Sequence, residues 1–294
     1  MNLKSTRNFF NFSNRADLTA IIKSDKSISY KNLFARANQQ AFSLSEFGIR
    51  KSDYIPLLIE DNFLFVKTVI SLWILGAVPV PLNTKLLNEE IYAIVDDYNF
   101  KFLITDKELP TVHFQKIFKI IRINQIKINQ VEVAQFNPPN FKNEAIVIFT
   151  SGSTGQAKGV VHTFSSLINS IEIGNRILMH QEKDRWLASL PFYHIGGFQI
   201  ICRSLLYGCT IVIPDSLQTE DLAKSVSNFS PTHLSLVSTQ LERLINHKVK
   251  PDESLKASLI GGGFIDDELM FEANELGWKP LRVYGSSETG SFVT

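Results

Sequence analysis

The sequence is poor in cysteine and has no excess of charge of either sign. Its 294 residues include two cysteines, Cys202 and Cys209, with no CxxC pair. This spacing argues against a disulfide scaffold and a cysteine zinc site, and predicts two buried thiols in a reducing compartment. Lysine and arginine number 30 against 29 aspartate and glutamate, for a net charge of +1. Bulk charge therefore excludes strong attraction to nucleic acid or to an anionic membrane.

Long apolar runs are also absent. The longest, residues 69–82, has 14 residues and carries two prolines, whereas a helix that spans a bilayer needs roughly 20. The first 15 residues are polar and lack the apolar stretch of a secretory signal. We therefore expect a cytoplasmic protein with no integral membrane association.

Helical spacing of apolar residues recurs along the first hundred residues. It extends over residues 30–47, where Gly48 follows as a C-terminal glycine, and again over residues 66–75. Asn88 is a candidate cap of a further helix that ends at Tyr98.

Between these helices, short apolar runs predict strands at residues 54–60 and 102–105. The prolines of residues 78–82, VPVPL, favour extended backbone as well. This alternation predicts an α/β fold with a doubly wound, mostly parallel sheet. Residues 107–143 give the weakest signals, and we expect a connection there with one or two short strands.

Residues 145–160 carry more chemistry than any other segment. The sequence AIVIFTSGSTGQAKGV joins an apolar strand to a loop of hydroxyls and glycines that ends on a lysine. Hydroxyls donate to phosphate oxygens, glycines permit close backbone approach, and lysine supplies a mobile cation. The residues concerned are Thr150, Ser151, Gly152, Ser153, Thr154, Gly155 and Lys158. They predict a polyphosphate site; the alternative is a surface turn rich in serine and glycine.

This segment does not fit a Walker A motif, which needs glycine directly before its lysine and a hydroxyl directly after it. Here Ala157 precedes Lys158 and Gly159 follows it. The segment instead resembles the phosphate loop of the adenylate-forming enzymes, the acyl-CoA synthetase and luciferase superfamily, whose pattern is roughly TSG[ST]TGxPKG. It departs from that pattern at Ala157, where proline is usual, and loses no group that faces a ligand.

Five further segments resemble the same superfamily in the same order. They are SYKNLFARANQQ, LGAVPVPLN, SLPFYHIGGF, LIGGGFIDDEL and VYGSSETG, which begin at residues 29, 75, 189, 259 and 283. The resemblance implies the large N-terminal domain of such an enzyme. That domain would have two doubly wound, mostly parallel sheet lobes, approximately residues 1–140 and 141–294, with helices on both faces. We expect that the family's C-terminal domain is absent from this chain and that the chain alone is poorly active.

The resemblance also assigns roles to residues. The aromatic of the family's YGxTE segment stacks on adenine and the residue before the glutamate contacts the α-phosphate, which here implies Tyr284 and Ser287. Glu288 would bind Mg²⁺, with a hydroxyl contact from Thr154, and Lys158 would pair with the outgoing phosphates. The remaining nucleotide-binding positions implied are Gly261, Gly262, Gly263, Gly285 and Ser286. An alternative for Tyr284 is a core aromatic that ends a strand.

Two further residues suggest how an acid substrate is held. His194, in PFYHIGG, is where the family places a residue that gates the acyl pocket, and Gly262 would line the same pocket; a structural role for His194 is the alternative. Arg203 lies nine residues later in an apolar helical segment. A buried arginine is costly unless it meets an anion, so we expect it to bind a second substrate carboxylate. The alternatives are an arginine that reaches solvent or pairs with a local acid.

Residues 159–163, 185–208 and 232–245 are similar to the o-succinylbenzoate–CoA ligases of menaquinone biosynthesis. The resemblance therefore implies that ATP, with Mg²⁺, activates a carboxylic acid such as o-succinylbenzoate to an acyl-adenylate, followed by transfer to CoA. Two alternatives stay open: a ligase for another aryl or fatty acid, and a catalytically silent nucleotide-binding module. The sequence does not decide between a monomer and a homo-oligomer.

Overall fold

A computed structural model describes residues 13–109, 119–126, 140–151 and 157–292. The helices are α1 (Tyr30–Glu46), α2 (Asn62–Leu75), α3 (Asn88–Asp97), α4 (Phe164–Leu178), α5 (Ile195–Tyr207), α6 (Thr219–Phe229), α7 (Ser238–Asn246) and α8 (Asp267–Glu275). The strands are β1 (Thr19–Lys23), β2 (Lys26–Ser29), β3 (Tyr54–Leu58), β4 (Val78–Pro81), β5 (Phe102–Thr105), β6 (Lys119–Arg122), β7 (Glu144–Ser151), β8 (Ala157–Thr163), β9 (Arg185–Leu187), β10 (Thr210–Ile213), β11 (His233–Val237), β12 (Ala257–Gly261), β13 (Pro280–Arg282), β14 (Gly285–Ser286) and β15 (Ser291–Phe292).

The chain forms two compact units whose boundaries differ from the lobes expected at residues 1–140 and 141–294. The first unit comprises the described residues of Met1–Lys31 and Ser165–Thr294, and the second those of Asn32–Phe164. The N-terminal segment belongs with the C-terminal half because β1 pairs with β10. The hairpin β7–β8 belongs with the second unit, where Val147 packs against two valines of β4.

The first unit contains a seven-stranded sheet in the order β13-β12-β11-β9-β10-β1-β2. Its neighbouring strands are parallel except for the β1–β2 pair, which is antiparallel. A core of buried leucines from β9, β11 and α7 packs with Trp278. The chain leaves β9 for β10 on one side of it and later enters β11 on the other side. This reversal creates a crevice beyond the carboxyl ends of the strands, where open α/β sheets bind their ligands.

The second unit contains a four-stranded parallel sheet in the order β4-β3-β5-β6, together with the antiparallel hairpin β7–β8. Parallel sheets in both units confirm the predicted α/β architecture. Helix α2 begins after Asp61, whose carboxylate accepts from the Leu64 amide, and ends at Gly76 with φ of 72°.

Helix α3 begins differently from the prediction. Asn88 is its first helical residue, and Leu87 occupies the capping position. The reason is that the Glu90 carboxylate accepts from the Leu87 amide at 2.8 Å, which satisfies one backbone donor at the start of the helix without a polar cap residue. The weakly patterned residues 107–143 contribute strand β6, and residues 110–118 and 127–139 lie outside the described residues.

Both cysteines are buried free thiols, as predicted. Burial raises the pKa of the Cys209 thiol to about 12, which keeps it protonated at neutral pH. Among the helices that the structure describes, none is both long enough and apolar enough to cross a bilayer.

Candidate active site

A cavity of about 450 Å³ lies within the first unit, beyond the carboxyl ends of β9, β11 and β12. Its volume is in the range of small-molecule sites. It is lined by residues that directly follow β9, such as Leu190, and by the last residues of β11 and β12. Because β9 is the strand at which the strand order reverses, the cavity occupies the place where the fold predicts ligand binding.

Three segments singled out in the sequence meet around this cavity, residues 189–198, 259–269 and 283–290. Much of its wall is apolar and comes from Leu190, Pro191, Ile195, Leu236, Leu259 and Val283. Its polar side chains are His194, Ser235, Ser286, Ser287 and Ser291. An apolar wall with a few polar groups suits a ligand that combines an apolar body with polar ends.

His194 lines the cavity from the start of α5. Its backbone is extended, with φ of −101° and ψ of 147°, and its carbonyl accepts from the Phe198 amide at 2.9 Å. The imidazole packs edge to face with Tyr193, with ring centroids 4.6 Å apart. Partial burial lowers the pKa of His194, so the ring is neutral at pH 7. A neutral ring at the cavity wall is suited to substrate positioning, which stays a prediction.

The three successive glycines have different structural reasons. A Cβ on Gly261 would lie 2.8 Å from Val283 Cγ2, so close packing against the neighbouring segment requires glycine there. Gly262 has φ of +85°, a conformation that favours glycine. Both line the cavity, but Gly263 does not, and a Cβ there would meet nothing within 4 Å. The structure therefore gives no support for Gly263 as a nucleotide-binding position at this cavity.

We call residues 285–292 the serine hairpin. It consists of β14, β15 and their connecting turn, in which the Ser286 amide donates to Thr289 Oγ1 at 3.0 Å. Gly285, Ser286, Ser287 and Ser291 line the cavity. Directly before the hairpin, Tyr284 is 74% exposed, so the alternative of a core aromatic is wrong. An exposed ring beside Val283 and Gly285 is available for stacking on a base.

Glu288 is exposed at the turn of the serine hairpin and does not line the cavity. Within the described residues, there is no cluster of three or more histidine, cysteine or acidic side chains that could hold a metal ion. A single carboxylate fits Mg²⁺ bound chiefly through phosphate oxygens and water, because this ion usually takes only one or two protein carboxylates.

Arg203 is buried in α5, with 1% of its surface exposed, so the alternative of an arginine that reaches solvent is wrong. Its Nη2 donates to Ser291 Oγ at 3.1 Å, and the guanidinium lies 5.0 Å from the Trp186 ring centroid. Burial lowers the pKa of Arg203 to about 10, which leaves it charged at neutral pH. Arg203 does not itself line the cavity, but its partner Ser291 does.

The predicted phosphate loop belongs to the hairpin β7–β8 of the second unit, which we call the phosphate-loop hairpin. Thr150 and Lys158 were expected in the loop but lie in its strands, opposite each other in the ladder. The reason is that β7 continues through Ser151 and β8 begins at Ala157. Lys158 is exposed. Gly152, Ser153, Thr154 and Gly155 lie outside the described residues, and for Ser151 only the backbone is described.

Sequence reasoning missed several polar residues that line the cavity or contact the serine hairpin. Ser235 lies within the buried strand β11, and Ser291 follows the last recognised segment. Gln199 is fully buried in α5 and donates to the Gly290 carbonyl, as does the Ser170 hydroxyl at 3.1 Å. One signal was available: Gln199 precedes Arg203 by four positions in an apolar helix, so both share one helical face.

Comparison with known proteins agrees with these motifs. The family model described as AMP-binding enzyme matches residues 10–294. The chain belongs to the AMP-binding enzyme family. This membership confirms the resemblance to adenylate-forming enzymes.

Individual members of the AMP-binding enzyme family can be compared over nearly the whole chain. A 2-succinylbenzoate–CoA ligase of Bacillus subtilis is 30% identical over 284 residues, which are 95% of this chain and 58% of the relative. The o-succinylbenzoate CoA synthetase (MenE) of B. subtilis has been solved with the acyl-adenylate intermediate OSB-AMP. That structure has a TM-score of 0.89 at 28% identity and covers 98% of this chain and 75% of its own.

The same B. subtilis enzyme has also been solved with ATP and a magnesium ion. This structure has a TM-score of 0.89 at 29% identity, over 97% of this chain and 61% of its own. The chain spans about 58% of the length of the B. subtilis ligase and a similar share of other curated relatives that it matches.

Proposed function

We propose that this chain uses ATP to activate a carboxylic acid as an acyl-adenylate with release of pyrophosphate, and that the CoA sulfur then accepts the acyl group with release of AMP. The observation that supports the proposal best is the meeting of three family segments around one cavity at the reversal point of the sheet. Membership of the AMP-binding enzyme family and the ligands of the B. subtilis structures agree with it.

The adenylation step requires no general base. A carboxylate is already ionised at neutral pH, so its oxygen can attack the α-phosphorus of ATP without a general base. The new bond joins acyl oxygen to phosphorus, and the bond to the bridging oxygen of pyrophosphate breaks. The main task is to orient the reactants and to stabilise negative charge on the phosphates.

We assign this task to Lys158 of the phosphate-loop hairpin and to residues in or near the serine hairpin and at the start of α5. The exposed ammonium of Lys158 would neutralise the outgoing phosphates, and the Ser287 hydroxyl at the cavity would donate to the α-phosphate. Tyr284 would stack on adenine. Mg²⁺, bound by Glu288, would add positive charge at the phosphates. His194, neutral at the cavity wall, would orient the acid.

We infer that the acid is o-succinylbenzoate, which has an aryl body and a second carboxylate. The apolar cavity wall suits the ring. The buried charge of Arg203 lies behind Ser291, which lines the cavity and shares a hydrogen bond with it. The second carboxylate of the substrate could therefore accept a hydrogen bond from the Ser291 hydroxyl. The buried guanidinium of Arg203, which donates to the same hydroxyl, would strengthen that bond in the low-dielectric interior.

Pyrophosphate exchange into ATP tests this function with a panel of o-succinylbenzoate, benzoate and a fatty acid. We expect exchange that depends on acid, with o-succinylbenzoate the best substrate. A preference for another acid would contradict the substrate assignment, and no exchange with any acid, together with no binding of ATP, would contradict the function.

The variant Arg203→Leu tests the substrate assignment separately. It should raise the KM for o-succinylbenzoate by about tenfold or more, because the Ser291 hydroxyl that would hold the second carboxylate loses its charged partner, and leave the KM for ATP nearly unchanged. Arg203→Lys, which keeps the charge, should show a smaller change. Equal effects of Arg203→Leu on both KM values would contradict a role in acid recognition.

A further inference from the structure

The serine hairpin has little backbone support of its own. Strands β14 and β15 contain two residues each and pair in an isolated two-stranded sheet. A two-stranded ribbon of this kind is at best marginally stable in water. The groups that fix its shape must therefore come from elsewhere in the first unit.

Helices α4 and α5 supply these groups. Gln199 Nε2 and Ser170 Oγ, the latter at 3.1 Å, both donate to the Gly290 carbonyl. One turn beyond Gln199, Arg203 donates to Ser291 Oγ at 3.1 Å. Three side chains from two helices thus hold two consecutive residues of the hairpin.

The conformation that they hold is an unusual one. Gly290 has φ of 78°, and Ser291, which has a side chain, has φ of 133°. Residues with side chains rarely adopt this region, and when they do the surrounding structure has to enforce it. Two donors on the carbonyl between these residues are suited to enforcing it.

Gln199 is costly to keep at this position. It is fully buried in an apolar helix, and its Oε1 has no hydrogen-bond partner among the described residues. An apolar side chain would fill the same space without burying a polar atom. What glutamine provides here and leucine could not is the hydrogen bond to the Gly290 carbonyl.

The held residues are directly linked to those predicted to bind phosphate and metal. The Gly290 amide donates to the Ser287 carbonyl at 3.3 Å, and Glu288 lies between them in the turn. A displacement of Gly290 would therefore move both side chains.

We propose that Gln199 and Ser170 are positioning residues, which fix the serine hairpin so that Ser287 and Glu288 meet the phosphates and Mg²⁺. The phosphate and metal roles rest on the proposed function; the bonds to Gly290 do not. Gln199 acts through the hairpin and need not touch the ligand.

Two measurements on the full chain test this inference. Hydrogen exchange of residues 284–292, measured without ligand, reports on the hairpin itself. Titration with ATP in the presence and absence of Mg²⁺ reports on the ligand role. Gln199→Leu should accelerate exchange in this peptide about tenfold, as expected for loss of one buried hydrogen bond. It should also reduce the Mg²⁺-dependent gain in ATP affinity about tenfold, and Ser170→Ala should do both to a smaller extent.

Matched controls exclude a general loss of stability. Gln40→Leu removes another buried glutamine, which bonds Thr68 in the second unit. Ser225→Ala removes a serine hydroxyl that bonds the Asp221 carbonyl within α6. Neither should change exchange of residues 284–292 or the effect of Mg²⁺. In addition, Gln199→Leu should have no further effect on Mg²⁺ dependence when Glu288 is already glutamine, because the two residues act in one chain of contacts.

The outcomes separate this inference from the proposed function. Unchanged exchange in both Gln199→Leu and Ser170→Ala, with normal binding of ATP by the unaltered chain, would overturn the inference alone. Faster exchange with an unaltered effect of Mg²⁺ would overturn the positioning role. Absence of ATP binding by the unaltered chain would overturn the proposed function and the ligand role with it.

Discussion

The two hairpins that carry motif residues are held in shape by different means. The phosphate-loop hairpin has a long backbone ladder, and the inner residues of β7 are buried, with Ile146 and Ile148 fully so. The indole of Trp73 also donates to the Ala145 carbonyl at 2.7 Å. The serine hairpin has a ladder of two residue pairs and depends on side chains of α4 and α5.

This difference suggests a division between rigid and adjustable parts. Backbone pairing and apolar burial hold a segment through many weak contacts, so the loss of one side-chain polar group matters little. A few side-chain hydrogen bonds hold a segment through a small number of groups, so each can be removed by one substitution. We expect damage to the first hairpin to reduce stability and damage to the second to reduce ligand affinity.

The largest effect is expected in the core of β7. Ile148→Ala should lower the free energy of unfolding by about 2–5 kcal/mol, because it leaves a cavity among buried neighbours. Urea denaturation measures this change. Val161→Ala, on the exposed side of β8, should cost less than about 0.5 kcal/mol. A loss below about 1 kcal/mol for Ile148→Ala would show that burial does not hold this hairpin.

An intermediate effect on the free energy of unfolding is expected from acid, through a buried histidine of the first unit. The His180 ring stacks on the Trp186 ring, with centroids 5.1 Å apart. The Trp186 ring also stacks on His233 and lies next to the Arg203 guanidinium. Burial first, and then His233, Arg203 and Lys256, lower the pKa of His180 from 6.5 to about 2. The unfolded chain takes up this proton near pH 6.5, whereas the folded chain does not until about pH 2.

The free energy of unfolding should therefore fall as the pH drops below 6.5, by about 1.4 kcal/mol per pH unit for this group. Urea denaturation between about pH 7.5 and pH 5.5 checks this slope. His180→Asn should reduce this slope. Equal slopes in the unaltered chain and His180→Asn would contradict the assignment.

The smallest effect on stability is expected within the serine hairpin. Thr289→Val keeps the shape of the side chain but removes the hydroxyl that bonds Ser286 and Ser291. Because Thr289 is exposed, we expect a loss of at most about 1 kcal/mol in unfolding, with a rise of about fivefold in the Kd for Mg²⁺–ATP. Thr239→Val, on the exposed surface of α7, is the control. A large loss of stability with unchanged affinity would reverse the proposed division.

Much of the fold could be predicted because its signals are local. The glycines that end α1 and α2, Gly48 and Gly76, both have positive φ, and prolines mark the extended strand β4. The pairing of β1 with β10 had no such signal, because it joins residues about 190 positions apart. The division of the chain into units was consequently missed.

The candidate site was likewise predictable where its signals are local. Motif residues such as His194, Gly261 and Ser287 line one cavity. The side chains that support them were not predicted, because Gln199 contacts a carbonyl 91 positions away and no local pattern indicates its partner. Arg203 was singled out by its charge in an apolar helix, but its hydrogen bond to Ser291 could not be foreseen.

Calorimetric titration with a non-hydrolysable mimic of the o-succinylbenzoyl-adenylate tests the central claim most directly. If the chain forms this intermediate, the mimic should bind at least about 100-fold more tightly than AMP, because it engages the acid and nucleotide contacts together. Glu288→Gln should change this affinity little, since the mimic carries no pyrophosphate. Binding no tighter than that of AMP would contradict the account.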